Sequence, residues 1–340
     1  MLSFRSTIHM LRIFKDAFVT IALITILPAQ SATAQVIVTG DINAAIIGAD
    51  GTDGDWGDDG DDGQEAAHID PTLSSLTVND EVSGGDGGDS RNLYGDVGKA
   101  GHGGDALKRS GSSLETLIIT ISNGATVEGG EGGNGGDDAS CEPFDSDCTP
   151  SGGRDAGNGG DAIEGANLEI HNYGHIEAGR PGVRGAPHGI FGEDGYVANF
   201  TGGENILYIY DGGTIDGPVN GGKGHDSVIF DKSLNESTSA YDLGVSKGLE
   251  VVEKRGAGTL TLTGHGDTDW TITEGGLAGH AMAMSGDLNL VNAGTFVAFT
   301  NTSDRTHEGK ITGVGHLTQK GSGITTLAGD NEYSGGTLVE

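Results

Sequence analysis

The chain is poor in the residues that build a compact core or bind a polyanion. Aromatic residues make up 5% of its 340 residues, and proline occurs only 7 times. A core built on large rings is therefore not expected, and neither is a proline-rich coil. Lysine and arginine number 18 against 50 aspartates and glutamates, which gives a formal net charge of −32. A surface of this sign repels nucleic acid and anionic membranes, so we expect neither as a partner.

The sequence also lacks an apolar run long enough to cross a bilayer. The best candidate, AFVTIALITIL at residues 17–27, falls well short of the ~20 residues that a spanning helix needs. Arg5, Arg12 and Lys15 precede this run, and the small-x-small sequence Ala-Thr-Ala ends at Ala34. This order is typical of a secretory signal peptide rather than a membrane anchor. We expect cleavage after Ala34, which removes residues 1–34 and leaves a mature chain without a membrane span.

Cysteine occurs only twice, at Cys141 and Cys148. An exported protein meets an oxidising environment, and two cysteines this close in sequence can close a small loop. Two free thiols or a metal pair are the alternatives, but a zinc site would want two more soft ligands at short spacing, and the sequence supplies none. We expect a local disulfide between Cys141 and Cys148.

Glycine, by contrast, is abundant, with 64 residues. In residues 48–63, GADGTDGDWGDDGDDG, glycine returns at every third position with aspartates between. A collagen helix is excluded because no proline occupies the intervening positions. Three residues per turn is the period of a polyproline II helix, in which glycine lets extended backbones pack closely. Similar triplets follow at Gly101/Gly104, Gly129/Gly132/Gly135, Gly157/Gly160 and Gly179/Gly182/Gly185. We interpret all five as equivalent edges of one repeating structure.

A second pattern accompanies the triplets: a short alternating strand, a turn, another short strand and then glycines. It begins at Leu76, Ile119, Leu168 and Leu207, so its period is about 40–50 residues. Within each copy apolar residues lie two apart and face one side. One copy could not fold alone, but stacked copies bury a continuous narrow core. The alternative, a β-meander sandwich, would place strands about 8–12 residues apart without a long period. We therefore predict an all-β chain that forms a parallel β-helix, or solenoid, with Gly/Asp-rich loops.

From residue 245 onward aspartate becomes scarcer and a different repeat appears. Two copies begin at Lys254 and Lys320, as KRGAGTLTLTGHG and KGSGITTLAGDNEYSGGT. The second resembles the passenger-associated β-strand repeat of type V secretion autotransporters. The first departs from that pattern at Trp270, where the motif carries tyrosine. The matching positions in the second copy are Leu317, Lys320, Gly321, Gly323, Leu327, Gly329, Asn331, Tyr333, Gly335, Gly336 and Thr337.

This resemblance implies a right-handed parallel β-helix that is exported by its signal peptide. Members of the family cross the outer membrane through their own C-terminal β-barrel, so an outer-membrane translocator is an expected partner. The sequence ends inside a repeat with no barrel strands. We expect a fragment, a truncated product or a passenger without its own exit. Its location would be the cell surface, the outer membrane or the medium if a translocator is present, and otherwise the periplasm. The expected organisation is a Gly/Asp-rich irregular solenoid over residues 35–244 and a truncated repeat region over residues 245–340.

Nothing in the sequence forms a recognisable catalytic motif, so we expect no enzyme, no catalytic residues and no cofactor. One metal motif does occur: residues 221–229, GGKGHDSVI, match the calcium-binding nonapeptide of β-rolls. That mechanism uses tandem copies, and the alternative is a β-helix corner whose glycines make the turn. Asp226 is the one residue that we single out as a calcium candidate.

The expected role is structural and adhesive. The chain would serve as a stalk that contacts a host cell, a neighbouring cell or a matrix, with residues 245–340 aiding secretion. Two alternatives stay open at this point: a calcium-responsive acidic β-roll, and a β-helix enzyme that acts on polysaccharides.

Overall fold

The computed structural model describes residues 36–54, 59–90, 99–111, 114–136, 155–185, 189–239 and 246–340. The expected signal peptide of residues 1–34, its cleavage site at Ala34, and the pair Cys141 and Cys148 lie outside the described residues. Within the described ranges no helix is both long and apolar enough to cross a bilayer.

The regular structure is almost entirely β-strand, and the one helical element in the described ranges is a 3-10 turn at Ala281–Ala283. The strands of the first part are β1 Ile37–Val38, β2 Ile46–Ile47, β3 Ala67–Ile69, β4 Ser75–Val78, β5 Val82–Ser83, β6 Leu107–Lys108, β7 Leu117–Ile121, β8 Thr126–Glu128, β9 Ile163–Ala166, β10 Leu168–Asn172, β11 His175–Glu177, β12 Ala198–Gly202, β13 Glu204–Tyr210, β14 Thr214–Asp216 and β15 Val219–Asn220. Those that follow are β16 His225–Asp231, β17 Glu236–Ser239, β18 Val251–Arg255, β19 Thr259–Thr263, β20 Trp270–Ile272, β21 Gly276–Gly279, β22 Leu288–Leu290, β23 Phe296–Phe299, β24 Arg305–His307, β25 Ile311–Gly313, β26 His316–Gln319, β27 Thr325–Leu327, β28 Glu332–Tyr333 and β29 Thr337–Val339.

All strand pairings in the described ranges are parallel, and each joins a strand to one in the next coil of the chain. Sheet A stacks β1-β3-β6-β9-β12-β15, and sheet C stacks β2-β5-β8-β11-β14. Sheet B runs the length of the molecule as β4-β7-β10-β13-β16-β18-β20-β22-β25-β28. Sheet D stacks β17-β19-β21-β23-β26-β29, and β24 pairs with β27. The molecule is therefore a parallel β-helix, which confirms the predicted fold class, and a hairpin-built sandwich is excluded.

The core is a ladder of aliphatic side chains stacked in register between the sheets. In sheet B, Leu76 pairs with Ile119, Ile119 with Ile170, Ile170 with Leu207, and Leu207 with Val228. All five side chains are fully buried. The spacing of two residues in the sequence predicted this inward face, because successive residues of a strand point to opposite sides of a sheet.

The coils differ greatly in length. Asn79 and Ser122, which are stacked neighbours, lie 43 residues apart, whereas Asp269 and Asp287 lie only 18 apart. The extra residues of the long coils leave sheet C, turn back and re-enter at sheet A. The last such excursion ends at Val197, earlier in the chain than the compositional shift near residue 245. The division into residues 35–244 and 245–340 stays a prediction.

Each excursion holds two glycine-rich segments that pack into two antiparallel layers beside the β-helix. The backbone N–H of Asp61 donates to the carbonyl of Thr52, and that of Gln64 to the carbonyl of Ala49, so the two segments of one coil run in opposite directions. Contacts of this kind recur every three residues, which is the polyproline II period. The outgoing layer contains residues 48–54, 84–90, 129–136 and 178–185, and the returning layer contains residues 59–66, 99–106, 155–162 and 189–197.

The interpretation of residues 48–63 as a single edge was therefore wrong. Residues 48–54 belong to the outgoing layer and residues 59–63 to the returning layer. The glycine triplets likewise do not form five equivalent edges, because Gly101 and Gly157 lie in one layer while Gly129 and Gly179 lie in the other. The sequence period is the same in both layers, so it could not distinguish them.

Within a triplet, each backbone N–H has a different kind of acceptor. In residues 84–86, the first glycine donates to the neighbouring coil of its own layer. Gly85 donates across to the carbonyl of Gln64 in the opposite layer. The N–H of Asp86 donates to Oδ1 of Asp50 in the preceding coil, at 3.1 Å. Aspartate at the third position thus serves as a backbone acceptor for the next coil, which explains the recurrence of Gly-Gly-Asp.

Glycine is required in these layers because a side chain would not fit between the packed backbones, and not because the backbone has a positive φ. None of the glycines in these layers has a positive φ among the described residues. A Cβ at Gly130 would lie 2.1 Å from the carbonyl oxygen of Gly85, and one at Gly133 would lie 2.1 Å from that of Gly88. These neighbours are backbone atoms that hold the layers together, so they cannot move aside.

We predict that Gly130→Ala destabilises the protein by about 3 kcal/mol or more, because the methyl group would collide with the carbonyl of Gly85 in the preceding coil of the same layer. Gly294→Ala is the matched control, since a Cβ at that exposed position meets nothing within 4 Å and should change stability by less than about 1 kcal/mol. Urea denaturation followed by circular dichroism measures both. Equal stability of the two variants would contradict the close-packed arrangement.

Two of the corners after Val197 hold a buried lysine, Lys232 in one and Lys254 in the next. Lys254 of β18 is fully buried. Its Nζ donates to the carbonyl of Gly256 at 2.7 Å and to that of Lys232 at 3.2 Å. Burial lowers the pKa of Lys254 to about 8. Its contacts indicate a structural role for this lysine: its ammonium group donates to backbone carbonyls from two successive coils at the turn.

His307 is a buried titratable group in the C-terminal part of the β-helix. Its side chain on β24 is fully buried and packs against Phe299 at 5.5 Å between ring centroids. Neither ring nitrogen has a hydrogen-bond partner. Burial lowers the pKa of His307 below its ordinary value of 6.5, and the nearby backbone of Met284 offsets this only in part.

We predict that stability falls as the pH drops from about 7 to about 5, because the unfolded chain takes up a proton at His307 more readily than the folded chain does. His307→Phe keeps a ring against Phe299 but cannot titrate, so its stability should fall less over the same range. Urea midpoints of both proteins at the two pH values give the comparison. Other groups titrate in both proteins, and an identical loss in the two would contradict the prediction.

Candidate functional site

Sheet B, with ten strands, is the longest sheet among the residues that the structure describes, and its outer face carries the candidate site. Alternation along each strand turns one residue inward and the next outward, and register pairing lines up the outward residues of successive coils. Ten strands spaced about 4.8 Å apart make this surface roughly 43 Å long. We call its central row the outer lane, and its members are Thr77, Thr120, His171, Tyr208, Ile229, Glu253, Thr271, Asn289, Thr312 and Glu332.

Four rings cluster on this face, although the chain has few aromatic residues. We call His171, Tyr173, Tyr208 and Tyr210 the aromatic cluster; it contains three of the protein's 7 tyrosines. Tyr173 stacks on Tyr210 with 4.4 Å between centroids and 7° between planes, and His171 stacks on Tyr208 at 5.1 Å and 11°. These are offset stacking distances, and such pairs are worth about 0.5–1.5 kcal/mol each. The rings are therefore held rigidly.

Hydrogen bonds fix the orientation of the histidine. Nε2 of His171 lies 3.0 Å from Oε1 of Glu169, and Nδ1 lies 2.9 Å from the hydroxyl of Tyr210. Both ring nitrogens of His171 therefore have hydrogen-bond partners, a carboxylate oxygen on one side and a hydroxyl on the other. Burial raises the pKa of Tyr210 to about 12, and the neighbouring Tyr173 and Tyr208 contribute further. The hydroxyl of Tyr210 therefore keeps its proton at neutral pH.

The cluster ends abruptly on the side of the preceding coil. There Thr120 lies opposite His171, and the N–H of Tyr173 donates to the carbonyl of Ile121, which places Ser122 beside Tyr173. One ring face of Tyr173 stacks on Tyr210 of the following coil, and the residue beside Tyr173 in the preceding coil is the small Ser122. The side chain of Tyr173 is 38% exposed. We call this arrangement the aromatic step: a wall of rings above a floor of small polar side chains.

The floor of the step is a hydrogen-bonded row. Oγ of Ser122 donates to Oδ1 of Asn79 at 2.6 Å, and Nδ2 of Asn79 donates to Oδ1 of Asn43 at 3.0 Å. Asn79 and Asn43 are exposed. The floor thus offers uncharged hydrogen-bond donors and acceptors beside the face of an aromatic ring.

A groove of about 390 Å³ lies further along the same face. Its acidic side chains are Glu250, Asp269 and Asp287, and Lys310 lies beside them. Oδ1 of Asp269 accepts the N–H of Asp287, and Oδ1 of Asp287 accepts the N–H of Lys310, both at 2.7 Å. The aspartates of the groove therefore hold coils together in the same way as those of the glycine-rich layers.

Three carboxylates come close together where the returning layer enters sheet A. Oxygens of Asp105, Asp161 and Glu164 lie within 4.8 Å of one another, which is close enough to share a cation. Lys108 already supplies one: its Nζ lies 2.9 Å from Asp105 and 2.6 Å from Glu164. Burial alone would lower the pKa of Lys108, but its hydrogen bonds to Glu164 and Asp105 raise it above the ordinary value. The ammonium group of Lys108 thus supplies the positive charge for two of the three carboxylates.

Burial has the largest effect on the pKa of two acids in the same cluster. It raises the pKa of Asp161 to about 6, against the opposing hydrogen bond from Asn199. It also raises the pKa of Glu164, against the opposing hydrogen bond from Lys108. A partly protonated Asp161 near pH 6 is a consequence of this environment.

Asp226, the calcium candidate, lies in strand β16 and is fully buried. Its Oδ1 accepts a hydrogen bond from Nδ2 of Asn205 at 2.7 Å, and its Oδ2 has no hydrogen-bond partner. Burial raises the pKa of Asp226, and Glu250 adds to the effect. Asp226 does not belong to the carboxylate group that could share a cation in the described ranges. The calcium assignment stays a prediction.

The glycines before Asp226 form a corner, as the alternative interpretation expected. Gly222 and Gly224 have positive φ values of 70° and 142°. A Cβ at Gly224 would lie 1.8 Å from the carbonyl oxygen of Gly203. The glycine motif therefore has a sufficient structural explanation without a metal.

The aromatic cluster was missed by the sequence analysis. Its signal was present as HNY at residues 171–173 and YIY at residues 208–210, each with a ring at every second position. The two segments become neighbours only when Ile170 is paired with Leu207. Comparing outward residues at matched strand positions would have found it.

The fold and this face define a parallel β-helix with a flanking bundle of glycine-rich polyproline II segments and an aromatic step on its longest sheet. No family model, curated protein or solved structure matches the chain.

We predict that Lys108→Met destabilises the protein by about 1–3 kcal/mol at neutral pH, because it leaves half-buried carboxylates without a counter-charge. The deficit should shrink toward pH 5, since Asp161 and Glu164 then take up protons and repel each other less. Lys310→Met is the control: its ion pair with Glu332 is exposed, so its removal should cost less than about 0.5 kcal/mol. Denaturation curves at pH 7.5 and pH 5 test both variants. A deficit that grows in acid would contradict the assignment.

Proposed function

We propose that the chain is an exported structural and adhesive protein that presents the outer face of sheet B to a cell surface or matrix. It would belong to the passenger type found in type V autotransporters, as the repeat of residues 245–340 suggests. Its N-terminal 34 residues would direct export, and the repeat region would support folding during secretion. A translocator encoded separately or further along would be needed for display at the cell surface.

The observation that carries the proposal is the outer lane itself. A single parallel sheet of ten strands carries this row, and its outward side chains include hydroxyls, amides and a group of stacked rings, while Ile229 and Glu253 within the row are buried. Burying polar and aromatic surface of this kind is how extended solenoids bind large partners. The acidic layers on the flank favour solubility, because a large net charge opposes aggregation.

The test uses the full chain, purified from the medium or periplasm after export and coupled to beads. We expect beads carrying the protein to attach to cells or extracellular matrix more than beads carrying an unrelated acidic protein of similar charge. Attachment should be reduced by Tyr208→Arg together with Thr120→Arg, which places two bulky charges on the outer lane. The control pair, Thr214→Arg and Thr126→Arg, adds the same two positive charges on the outer face of sheet C, where both residues pair with His175.

The proposal fails if the folded protein attaches to neither cells nor matrix. It also fails if both double variants reduce attachment equally, since the effect would then come from net charge rather than from the outer lane. Circular dichroism confirms that each variant is folded before it is compared.

A further inference from the structure

We propose that the aromatic step binds a neutral saccharide, with one pyranose ring stacked on the exposed face of Tyr173. This inference rests on the adhesive function proposed above and names the chemistry of its ligand. The observations that carry it are the free ring face, the uncharged polar floor and the rigid support behind the ring.

The free ring face supplies the apolar half of the recognition. An aromatic face carries partial negative charge, and it attracts groups whose outward atoms carry partial positive charge. The C–H bonds on one side of a pyranose are such a group. Tyr173 is already backed by Tyr210 at 4.4 Å, so it keeps its orientation when a ligand arrives and little side-chain entropy is lost.

The floor supplies the polar half. A sugar ring on Tyr173 would lie above Ser122 and within reach of Asn79 and Thr120, which together offer hydroxyl and amide groups. Hydroxyl groups of a sugar are both donors and acceptors, and they match side chains of this kind. Glu169, which orients His171, adds a carboxylate acceptor at the border of the site.

Charge and size exclude the other ligands that stack on aromatic rings. A nucleic acid or an acidic polysaccharide would approach a chain of net charge −32 against its repulsion. The anchor side chains of protein interfaces are held in well-packed, fully desolvated pockets. The step instead offers one ring face above a flat polar floor, which fits the face of a single sugar ring.

The experiment titrates the full exported chain with neutral oligosaccharides of glucose, mannose, xylose and N-acetylglucosamine, by calorimetry and by the NMR signals of the tyrosine rings. We expect at least one series to bind. Tyr173→Ser should weaken that binding about fivefold or more, the loss expected when one stacking contact is removed. Tyr173→Phe should bind within about twofold of the original protein, since the ring face is retained.

Phe191→Ser is the matched control, because Phe191 is also an exposed ring, at 65%, but lies on the glycine-rich flank. It should leave saccharide binding unchanged. The inference is overturned if no neutral oligosaccharide binds at roughly 10 mM, or if Tyr173→Ser binds as well as the original protein. It is also overturned if Phe191→Ser loses binding to the same extent.

Cell attachment separates this inference from the function on which it rests. If beads attach to cells treated with periodate, which destroys sugars, but not to cells treated with protease, the protein is an adhesin for a protein partner and the saccharide inference is wrong. If oligosaccharides bind at Tyr173 while beads attach to neither cells nor matrix, the site is real and the adhesive function is wrong.

Discussion

The structure depends on one constraint: the backbone N–H groups of each coil must find acceptors, and most of these acceptors lie in a neighbouring coil. In the sheets the parallel ladder meets this requirement, as it does in any β-helix. In the glycine-rich layers there is no ladder, and three different acceptors take its place. The second glycine of a triplet donates to the opposite layer, and a Cβ at Gly130 would collide with the carbonyl of Gly85 in the preceding coil of its own layer. Glycine is therefore required at the second position of the triplet, because a side chain there would collide with the backbone of the neighbouring coil.

The sequence predicted the parts of the fold that are local. Alternation at Leu76 and Ile119 showed which side of each strand is buried, and the long period indicated stacked coils rather than hairpins. The triplet period correctly suggested close-packed extended backbones. It could not reveal that residues 48–54 and 59–63 lie in different layers, because both layers share one period. The pairing partner of a polyproline II segment depends on where the chain turns back, and composition does not record that.

The aromatic step illustrates the same limit for the candidate site. Tyr173 and Tyr210 lie in separate coils, and their stacking depends on a register that the core residues Ile170 and Leu207 establish. Asp226, by contrast, stands in a recognisable motif yet lies buried beside Asn205. A short motif identifies the residue types of a site, but it does not show whether each side chain points into the core or toward the solvent. The surface sites of a solenoid are formed by side chains from different coils. They are therefore found by comparing equivalent positions in successive repeats, and not by reading consecutive residues.

The aspartates of the layers have a consequence for how such a protein can change over time. Their structural task is to present an oxygen to the next coil, and an asparagine oxygen performs it equally well: Oδ1 of Asn134 and Oδ1 of Asn158 accept the N–H groups of Val183 and Glu193 at 2.8 and 2.9 Å. The charge at these positions can therefore change without a change in the backbone structure. A lineage could move from strongly acidic to nearly neutral through single Asp-to-Asn steps and keep the same backbone. The acidity of this chain is then a trait that selection can adjust to its surroundings, independently of the scaffold that carries it.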